Sequence, residues 1–334
     1  MPLMQTRRQF INRVALAGAV GLGGAPPLQA AEGPPEITSL RFVKIPGDCL
    51  APQYIAEALL HAEGFTDVRY LDTPVDATAE AVARGDIDFG FDFAWNAVPS
   101  IDRGLAITVL TGVHVGCIEL LANEGIRSIG DLKEKRVGIP GFGTSSHALV
   151  TLMAAQVGLD PKKDIRWVVD PSVTHKQLFI DGKIDAFLGI SPDPQELRAR
   201  QLGRVVLRTA MDRPWSQYFC CMLTGNRDFV RRYPGATKRV TRAILKGADF
   251  CAVDPARAAQ RLVDGGLTPR YDYAFQALSE LPYDKWREYD PEDTIRFYAL
   301  RMREAGFVKS SPQKIIADGT DWRFLNELKR ELKA

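Results

Sequence analysis

Short β-rich segments and amphipathic helical segments follow one another through much of this 334-residue chain. This alternation limits the possible folds more than any other feature of the sequence. Apolar, strand-like segments at 40–45, 68–71 and 87–91 are separated by helical segments at 51–63 and 77–83. Strands that alternate with helices of this length predict right-handed βαβ units on a mainly parallel sheet.

A second series of the same kind follows two longer β-rich segments at 107–115 and 118–122. It begins at residue 136 and completes a unit of ordinary domain size. From Asn226 onward the chain is almost wholly helical in its sequence pattern. Helices without a sheet of their own must bury their apolar faces against another element, so we expect the tail to return to the first unit.

These observations predict an α/β protein with two lobes, two interlobe crossings and a cleft where the lobes meet. We expect the crossings near residues 122 and 223. Residues 36–122 and 223–334 would then form one discontinuous lobe, and residues 123–222 the other. Two sequential, independent domains are the alternative, which the strand-poor tail makes the weaker choice.

Composition and charge narrow the class of protein. Hydrophobic residues make up 46% and charged residues 25% of the chain, which is ordinary for a globular protein. The formal net charge is +2, with lysine and arginine scattered along the chain. Because nucleic-acid-binding proteins show clustered positive charge, we expect no nucleic-acid partner.

Residues 1–30 have the features of an export signal. Three arginines are followed by an apolar, glycine-rich stretch at 14–24 and then by small residues, and no acidic residue precedes Glu32. This order is typical of a cleaved signal, and the surroundings of Arg7 and Arg8 resemble the twin-arginine motif. We expect a periplasmic protein exported by that route; a disordered tail or an uncleaved anchor is the alternative.

The segment 136–147, RVGIPGFGTSSH, joins a short apolar strand to a helix through a glycine-bearing loop. Glycines let backbone N–H groups turn inward, and hydroxyl side chains at the start of a helix can donate hydrogen bonds to a ligand. The segment therefore predicts a cradle for an anion or a polar ligand. Simple capping of a structural helix is the alternative. The cradle comprises Gly143, Thr144, Ser145, Ser146 and His147.

Cysteine and histidine spacing predicts neither a disulfide framework nor a metal motif. Five cysteines lie at irregular spacing and four histidines are spread over the chain, so we expect no metal and no cofactor. Cys220 and Cys221 lie in an apolar segment, which indicates two small buried residues. A redox or catalytic role is the alternative, although reactive thiols occupy electropositive, exposed settings. The sequence also lacks the common hydrolase, metalloprotease and P-loop motifs, so we expect no enzyme.

Several blocks that occur in a fixed order carry a resemblance to a known family. They are 43–47 (VKIPG), 85–90 (GDIDFG), 119–122 (ELLA), 129–138 (IGDLKEKRVG) and 141–147 (GFGTSSH). Together they resemble the periplasmic solute-binding proteins of nitrate/sulfonate/taurine-type ABC importers, including the NMT1/THI5-like branch. The resemblance implies a two-lobed periplasmic binding protein type II fold that closes on a ligand.

The resemblance also implies where the ligand binds, and the rule that ligands lie outside the carboxyl ends of strands agrees. Asp48 and Asp92 can receive cationic or hydroxylated ligand groups, unless they cap the helices that follow. Trp95 can stack on a flat ligand or belong to the core, and His114 faces either the cleft or a buried partner. The full predicted site comprises Asp48, Cys49, Asp92, Phe93, Trp95, His114, Gly143, Thr144, Ser145, Ser146, His147 and Ser191.

The function that the resemblance implies is capture of a small polar or anionic organic ligand and its delivery to an ABC permease and its ATPase. The protein would act as a monomer without a cofactor. Two alternatives stay open: a pyrimidine-precursor synthase-like enzyme on the same fold, and a periplasmic ligand-binding sensor module. The synthase carries a cysteine-rich segment, of which Cys220 and Cys221 would be a fragment.

Overall fold

The framework of the molecule is a pair of five-stranded sheets. A computed structural model describes residues 33–170 and 172–332, so the predicted export signal lies outside the described residues. The strands are β1 (Ser39–Lys44), β2 (Asp67–Asp72), β3 (Phe89–Phe93), β4 (Ile107–Val115), β5 (Ile118–Ala122), β6 (Arg136–Ile139), β7 (Arg166–Val169), β8 (Ala186–Ile190), β9 (Arg204–Arg208) and β10 (Phe219–Asn226).

Helices cover the sheets and make up most of the chain after β10. They are α1 (Ala51–Ile55), α2 (Glu57–Ala62), α3 (Thr78–Arg84), α4 (Ala94–Asp102), α5 (Ser145–Gln156), α6 (His175–Ile180), α7 (Asp193–Ala199), α8 (Arg227–Arg232), α9 (Pro234–Val253), α10 (Pro255–Asp264), α11 (Tyr271–Glu280), α12 (Pro291–Glu304), α13 (Pro312–Gly319) and α14 (Arg323–Glu331). No helix in the described part of the chain is both long and apolar enough to span a membrane.

The two sheets share one topology and exchange one strand each. The first has the order β2-β1-β3-β10-β4 and the second the order β7-β6-β8-β5-β9. In the first sheet β10 runs antiparallel to both of its neighbours, and in the second sheet β5 does the same. Each sheet is therefore mainly parallel, as predicted, with one antiparallel strand in the fourth position. The chain enters that strand directly from the other half of the molecule.

The strand exchange corrects the predicted crossing points. The segment 118–122 was expected in the first lobe, but β5 pairs with β8 and β9 of the second sheet. Residues 219–222 were expected in the second lobe, but β10 begins at Phe219 and pairs within the first sheet. Both strands are buried along their whole length, so their composition fits either sheet. The division of the remaining chain into two lobes stays a prediction.

The first crossing is a sharp turn between β4 and β5. Gly116 and Cys117 both have left-handed backbone conformations, with φ of 78° and 93°. A Cβ atom on Gly116 would lie 2.3 Å from the Cβ of Ala210 and 2.6 Å from its Cα. Only glycine fits this position, because the segment that leads back to the first sheet passes directly against the turn.

The helical tail packs largely on the first sheet and its helices. The longest helix, α9, contacts α1, α2 and β4, while α12 contacts α4. At Gly247 the backbones approach so closely that a Cβ atom would lie 2.4 Å from the carbonyl oxygen of Pro52. These contacts place much of the apolar surface of α9 and α12 against elements of the first half of the chain.

Replacing Gly116 by alanine is expected to lower the free energy of unfolding more than replacing Gly104 by alanine does. The expected difference is about 1–3 kcal/mol, which is the usual cost of overpacking. Gly104 has a similar φ of 82°, so the backbone strain is matched. Its Cβ position has no described atom within 4 Å. Urea denaturation of both variants measures the difference, and equal losses would contradict crowding at the crossing.

Candidate functional site

A small cavity lies between the two sheets, at the carboxyl ends of β1, β3 and β8. Its volume is about 40 Å³, and Ile45, Val75 and Ile190 contribute to a largely apolar wall. Three residues of the predicted site, Cys49, Asp92 and Phe93, also line it. This is the edge of the sheets where the fold predicts ligand binding.

Asp92 contributes a buried carboxyl to the lining of this cavity. Its Oδ1 accepts hydrogen bonds from the backbone N–H of Phe93 (2.9 Å) and from Asn96 Nδ2 (3.2 Å). Its Oδ2 is buried without a hydrogen-bond partner in the described part of the chain. Burial raises the pKa of Asp92 to about 8. The side chain does not cap α4, so the capping alternative is wrong here.

Asp48 joins the two halves of the molecule. It lies in a short 3₁₀ turn after β1, and its Oδ2 accepts a hydrogen bond of 2.9 Å from the hydroxyl of Ser191, which follows β8. Burial raises the pKa of Asp48, although the bond from Ser191 opposes this shift. Oδ1 has no partner among the described residues, and no side-chain cap is formed.

A second connection between the halves involves the start of α5. Trp95 Nε1 donates a hydrogen bond of 2.7 Å to Ser145 Oγ, and the backbone N–H of Ser145 donates one of 3.0 Å to Asp76 Oδ1. The helix N-terminus predicted to hold a ligand anion therefore already has a carboxylate of the protein itself. Trp95 is buried and stacks on Phe93, with ring centroids 4.7 Å apart.

The rest of the predicted cradle does not line the small cavity. Thr144 Oγ1 donates to the carbonyl of Gly141 (2.7 Å) and does not cap α5. His147 accepts from the backbone N–H of Gly143 (3.1 Å) and lines a separate groove of about 760 Å³ together with Trp167. The structure thus distributes the predicted residues over two places. Gly143, Thr144, Ser146 and His147 as ligand-binding residues stay a prediction.

Four cysteines and His114 form a buried cluster behind the small cavity, which the sequence analysis did not foresee. His114 Nδ1 or Nε2, Cys117 Sγ and Cys221 Sγ lie within 4.8 Å of one another. Cys117 Sγ is also 3.1 Å from Cys220 Sγ and interacts with Cys49. All of these side chains are buried.

The cluster changes the acidity of its members. Burial opposes ionisation of Cys221, but interactions with Cys117, Cys220 and the nearby charge of His114 outweigh it and hold the pKa of this thiol well below its usual value. Burial alone would lower the pKa of His114, yet the attraction of Cys221 raises it. Two features of the sequence point to this cluster: the His-x-x-Cys spacing at 114–117 and the adjacent Cys220 and Cys221. They can be recognised as one cluster only once β4 and β10 are known to pair.

Replacing Asp92 by asparagine is expected to flatten the pH dependence of stability between about pH 4 and pH 8. The folded-state pKa is raised from 3.8 to about 8, so the stabilising effect of the protonated carboxyl is complete below pH 4 and is lost as the pH rises to 8. As the pH rises through this range, the free energy of unfolding should fall more steeply for the wild type than for the variant. The two slopes should differ by up to about 1.4 kcal/mol per pH unit.

Urea denaturation of both proteins across this pH range checks the slope. Asp72→Asn is the control, because the side chain of Asp72 is 81% exposed. Parallel slopes for wild type and Asp92→Asn would contradict the burial of an uncompensated carboxyl.

Comparison with known proteins gives a consistent picture. The family model described as NMT1/THI5 like matches residues 61–258. A 4-amino-5-hydroxymethyl-2-methylpyrimidine phosphate synthase of Saccharomyces cerevisiae is 24% identical over 236 residues, or 64% of this chain and 67% of that protein. A binding protein of Brucella abortus is 28% identical over 185 residues, or 54% of this chain and 55% of that protein.

Solved structures show the same fold. The periplasmic nitrate-binding protein NrtA from Synechocystis PCC 6803 superposes with a TM-score of 0.74 at 15% identity, covering 90% of each chain. The alkanesulfonate-binding protein SsuA from Xanthomonas axonopodis pv. citri gives 0.71 at 16% identity, covering 86% of this chain and 99% of that one. These likenesses confirm the predicted periplasmic binding protein fold, and the chain belongs to the NMT1/THI5-like family.

Proposed function

We propose that this protein is an extracytoplasmic receptor that captures a small organic ligand between its two sheets and delivers it to an ABC importer. One observation carries the proposal. The loops at the carboxyl ends of β1, β3 and β8 enclose a cavity that contains a buried, partly unsatisfied carboxyl, at the edge of the sheets where such folds bind ligands. A largely apolar pocket with a few polar groups is typical of a small-molecule site.

The lining of the cavity favours one ligand class over another. No lysine or arginine is among the described residues that line it, so an anion would find no positive partner there. Asp92 lines the cavity, and its Oδ2 has no hydrogen-bond partner in the described chain. An uncharged or cationic ligand that carries an N–H or O–H donor would satisfy this oxygen. We therefore narrow the expected polar or anionic ligand to a hydrogen-bond donor, uncharged or cationic.

Ligand entry requires the two halves to separate. The cavity of about 40 Å³ is far smaller than the 300–1,000 Å³ of an ordinary ligand site. Polar contacts between the halves would have to break, together with apolar ones such as that of His147 with Phe307. The polar contacts include the Ser191–Asp48 and Trp95–Ser145 hydrogen bonds and the ion pair of Arg198 with Glu280 at 2.7 Å. We propose that these contacts stabilise the closed form of a receptor that opens and closes around its ligand.

Partners and location follow from the same proposal. The solved neighbours are named as periplasmic nitrate-binding and alkanesulfonate-binding proteins. By analogy this protein would act as a monomer in the periplasm and dock on a permease with its ATPase, and the twin-arginine route would export it.

A synthase on the same fold is the second candidate function. The observation that favours it is the buried cysteine–histidine cluster next to the cavity, together with the yeast synthase that is 24% identical. Chemical change of a bound ligand during incubation, followed by mass spectrometry, distinguishes a synthase from a receptor, which releases its ligand unaltered.

A thermal-shift screen with the purified protein is expected to give stabilisation by amines, aminopyrimidines and other donor-rich compounds. A ligand at 100 times its Kd should add about 2.7 kcal/mol to the free energy of unfolding. Nitrate, sulfonates and carboxylates should give little shift. The Asp92→Asn variant should lose most of the response, whereas Asp72→Asn should keep it. Stabilisation by sulfonates alone would contradict the proposed ligand class.

Replacing Ser191 by alanine is expected to destabilise the closed form by about 1–3 kcal/mol, because Asp48 then has no hydrogen-bond partner from the other half. Small-angle scattering should report a larger radius of gyration in the ligand-free variant. Ser172→Ala is the matched control, since it removes an exposed serine–aspartate hydrogen bond, from Ser172 to Asp170. An unchanged radius for Ser191→Ala would argue against this bond as a closing contact.

A further inference from the structure

We propose that His114, Cys117 and Cys221 bind one thiophilic metal ion with a filled d shell, Cu⁺ or Zn²⁺. Their ligand atoms lie within 4.8 Å of one another. Two thiolates bound to one zinc ion, each about 2.3 Å from it, can be at most about 4.6 Å apart. Small rotations of the side chains therefore bring all three atoms to a common ion.

The backbone is shaped to bring these residues together. His114 on β4 and Cys221 on β10 are direct partners across the antiparallel pair. Register shifts on either side of Cys221 interrupt this ladder, and such bulges re-aim side chains. The bulge explains how the adjacent residues Cys220 and Cys221 both reach Cys117, because successive side chains of a regular strand point to opposite faces.

Cys117 adds an independent observation. Its φ of 93° is a left-handed conformation that costs a residue with a side chain about 1–3 kcal/mol, and strain of this kind is concentrated at functional sites. Glycine would relieve the strain at this position, yet the chain carries a cysteine there.

The imidazole of His114 is prepared for coordination. The side chain is fully buried, and Nδ1 lies 3.3 Å from the carbonyl oxygen of Val115. When Nδ1 donates its proton to that oxygen, the lone pair of Nε2 points away from it. Nε2 is buried without a hydrogen-bond partner among the described residues. A second-shell carbonyl that fixes the tautomer of a histidine is the usual arrangement in metal sites.

The donor set selects the class of ion. Two thiols and one imidazole suit Cu⁺ and Zn²⁺, whereas Mg²⁺ and Ca²⁺ require oxygen ligands. Cu⁺ needs no further ligand. For Zn²⁺ the fourth ligand would be Cys49, which interacts with Cys117, or a group that enters the cavity. Cys49 and Cys221 both line that cavity, so the open side of the ion would face it. The site does not depend on the proposed receptor role.

Metal titration of the full-length purified protein tests the proposal. The protein is stripped with chelator, kept reduced under anaerobic conditions and titrated separately with Cu⁺ and with Zn²⁺ against a chromophoric competitor. We expect one equivalent of at least one ion to bind. Cys221→Ser and His114→Gln should each weaken that binding by more than about 100-fold, beyond the roughly 10–100-fold that loss of an outer-sphere partner costs.

Cys251→Ser is the matched control. Cys251 is equally buried but lies in α9, outside the cluster, so its replacement should leave the metal affinity unchanged. X-ray absorption of the loaded wild-type protein gives a readout that does not depend on any variant. It should show sulfur at about 2.3 Å and nitrogen at about 2.0–2.1 Å for zinc. Failure to bind either ion, or equal affinity in all variants, would overturn the proposal, as would an oxygen-only coordination shell.

Discussion

The turn at Gly116 and Cys117 is the constraint on which the rest of the architecture depends. It sends the chain from β4 of the first sheet directly into β5 of the second, and the return segment packs against it so closely that no side chain fits on Gly116. Because each sheet takes its fourth strand from the other half of the chain, neither sheet is complete alone. The same turn brings Cys117 into contact with residues of β10, so the crossing and the cysteine–histidine cluster share the same residues.

The interior between the sheets is built around incompletely satisfied polar groups. Asp48 and Asp92 are buried, and each has one oxygen without a hydrogen-bond partner in the described chain. A buried acceptor of this kind costs about 1–3 kcal/mol, so the closed form is less stable than its apolar packing alone would make it. The polar contacts that hold the halves together, such as Ser191 with Asp48, offset part of this cost. For the proposed receptor, this balance would lower the free-energy cost of opening.

Most elements of secondary structure could be predicted because their signals are local. The βα alternation and the apolar runs at 107–115 and 118–122 depend on neighbouring residues, and both runs are strands in the structure. The helical tail was equally predictable. The crossing points were not, because β5 and β10 are buried on both faces and carry no pattern that distinguishes one sheet from the other.

The sequence by itself determined the fold class and the loops at which a ligand is expected, since periodicity and turn residues act over a few positions. Only the tertiary structure decided what fills those loops. The motif at 136–147 predicts a ligand at the N-terminus of α5. In the structure the carboxylate of Asp76, which is remote in sequence, accepts a hydrogen bond from the backbone N–H of Ser145 there. Pairing of β4 with β10 turned His114 and Cys221, 107 positions apart, into neighbours. Such encounters depend on strand register and on backbone turns, which no local pattern records.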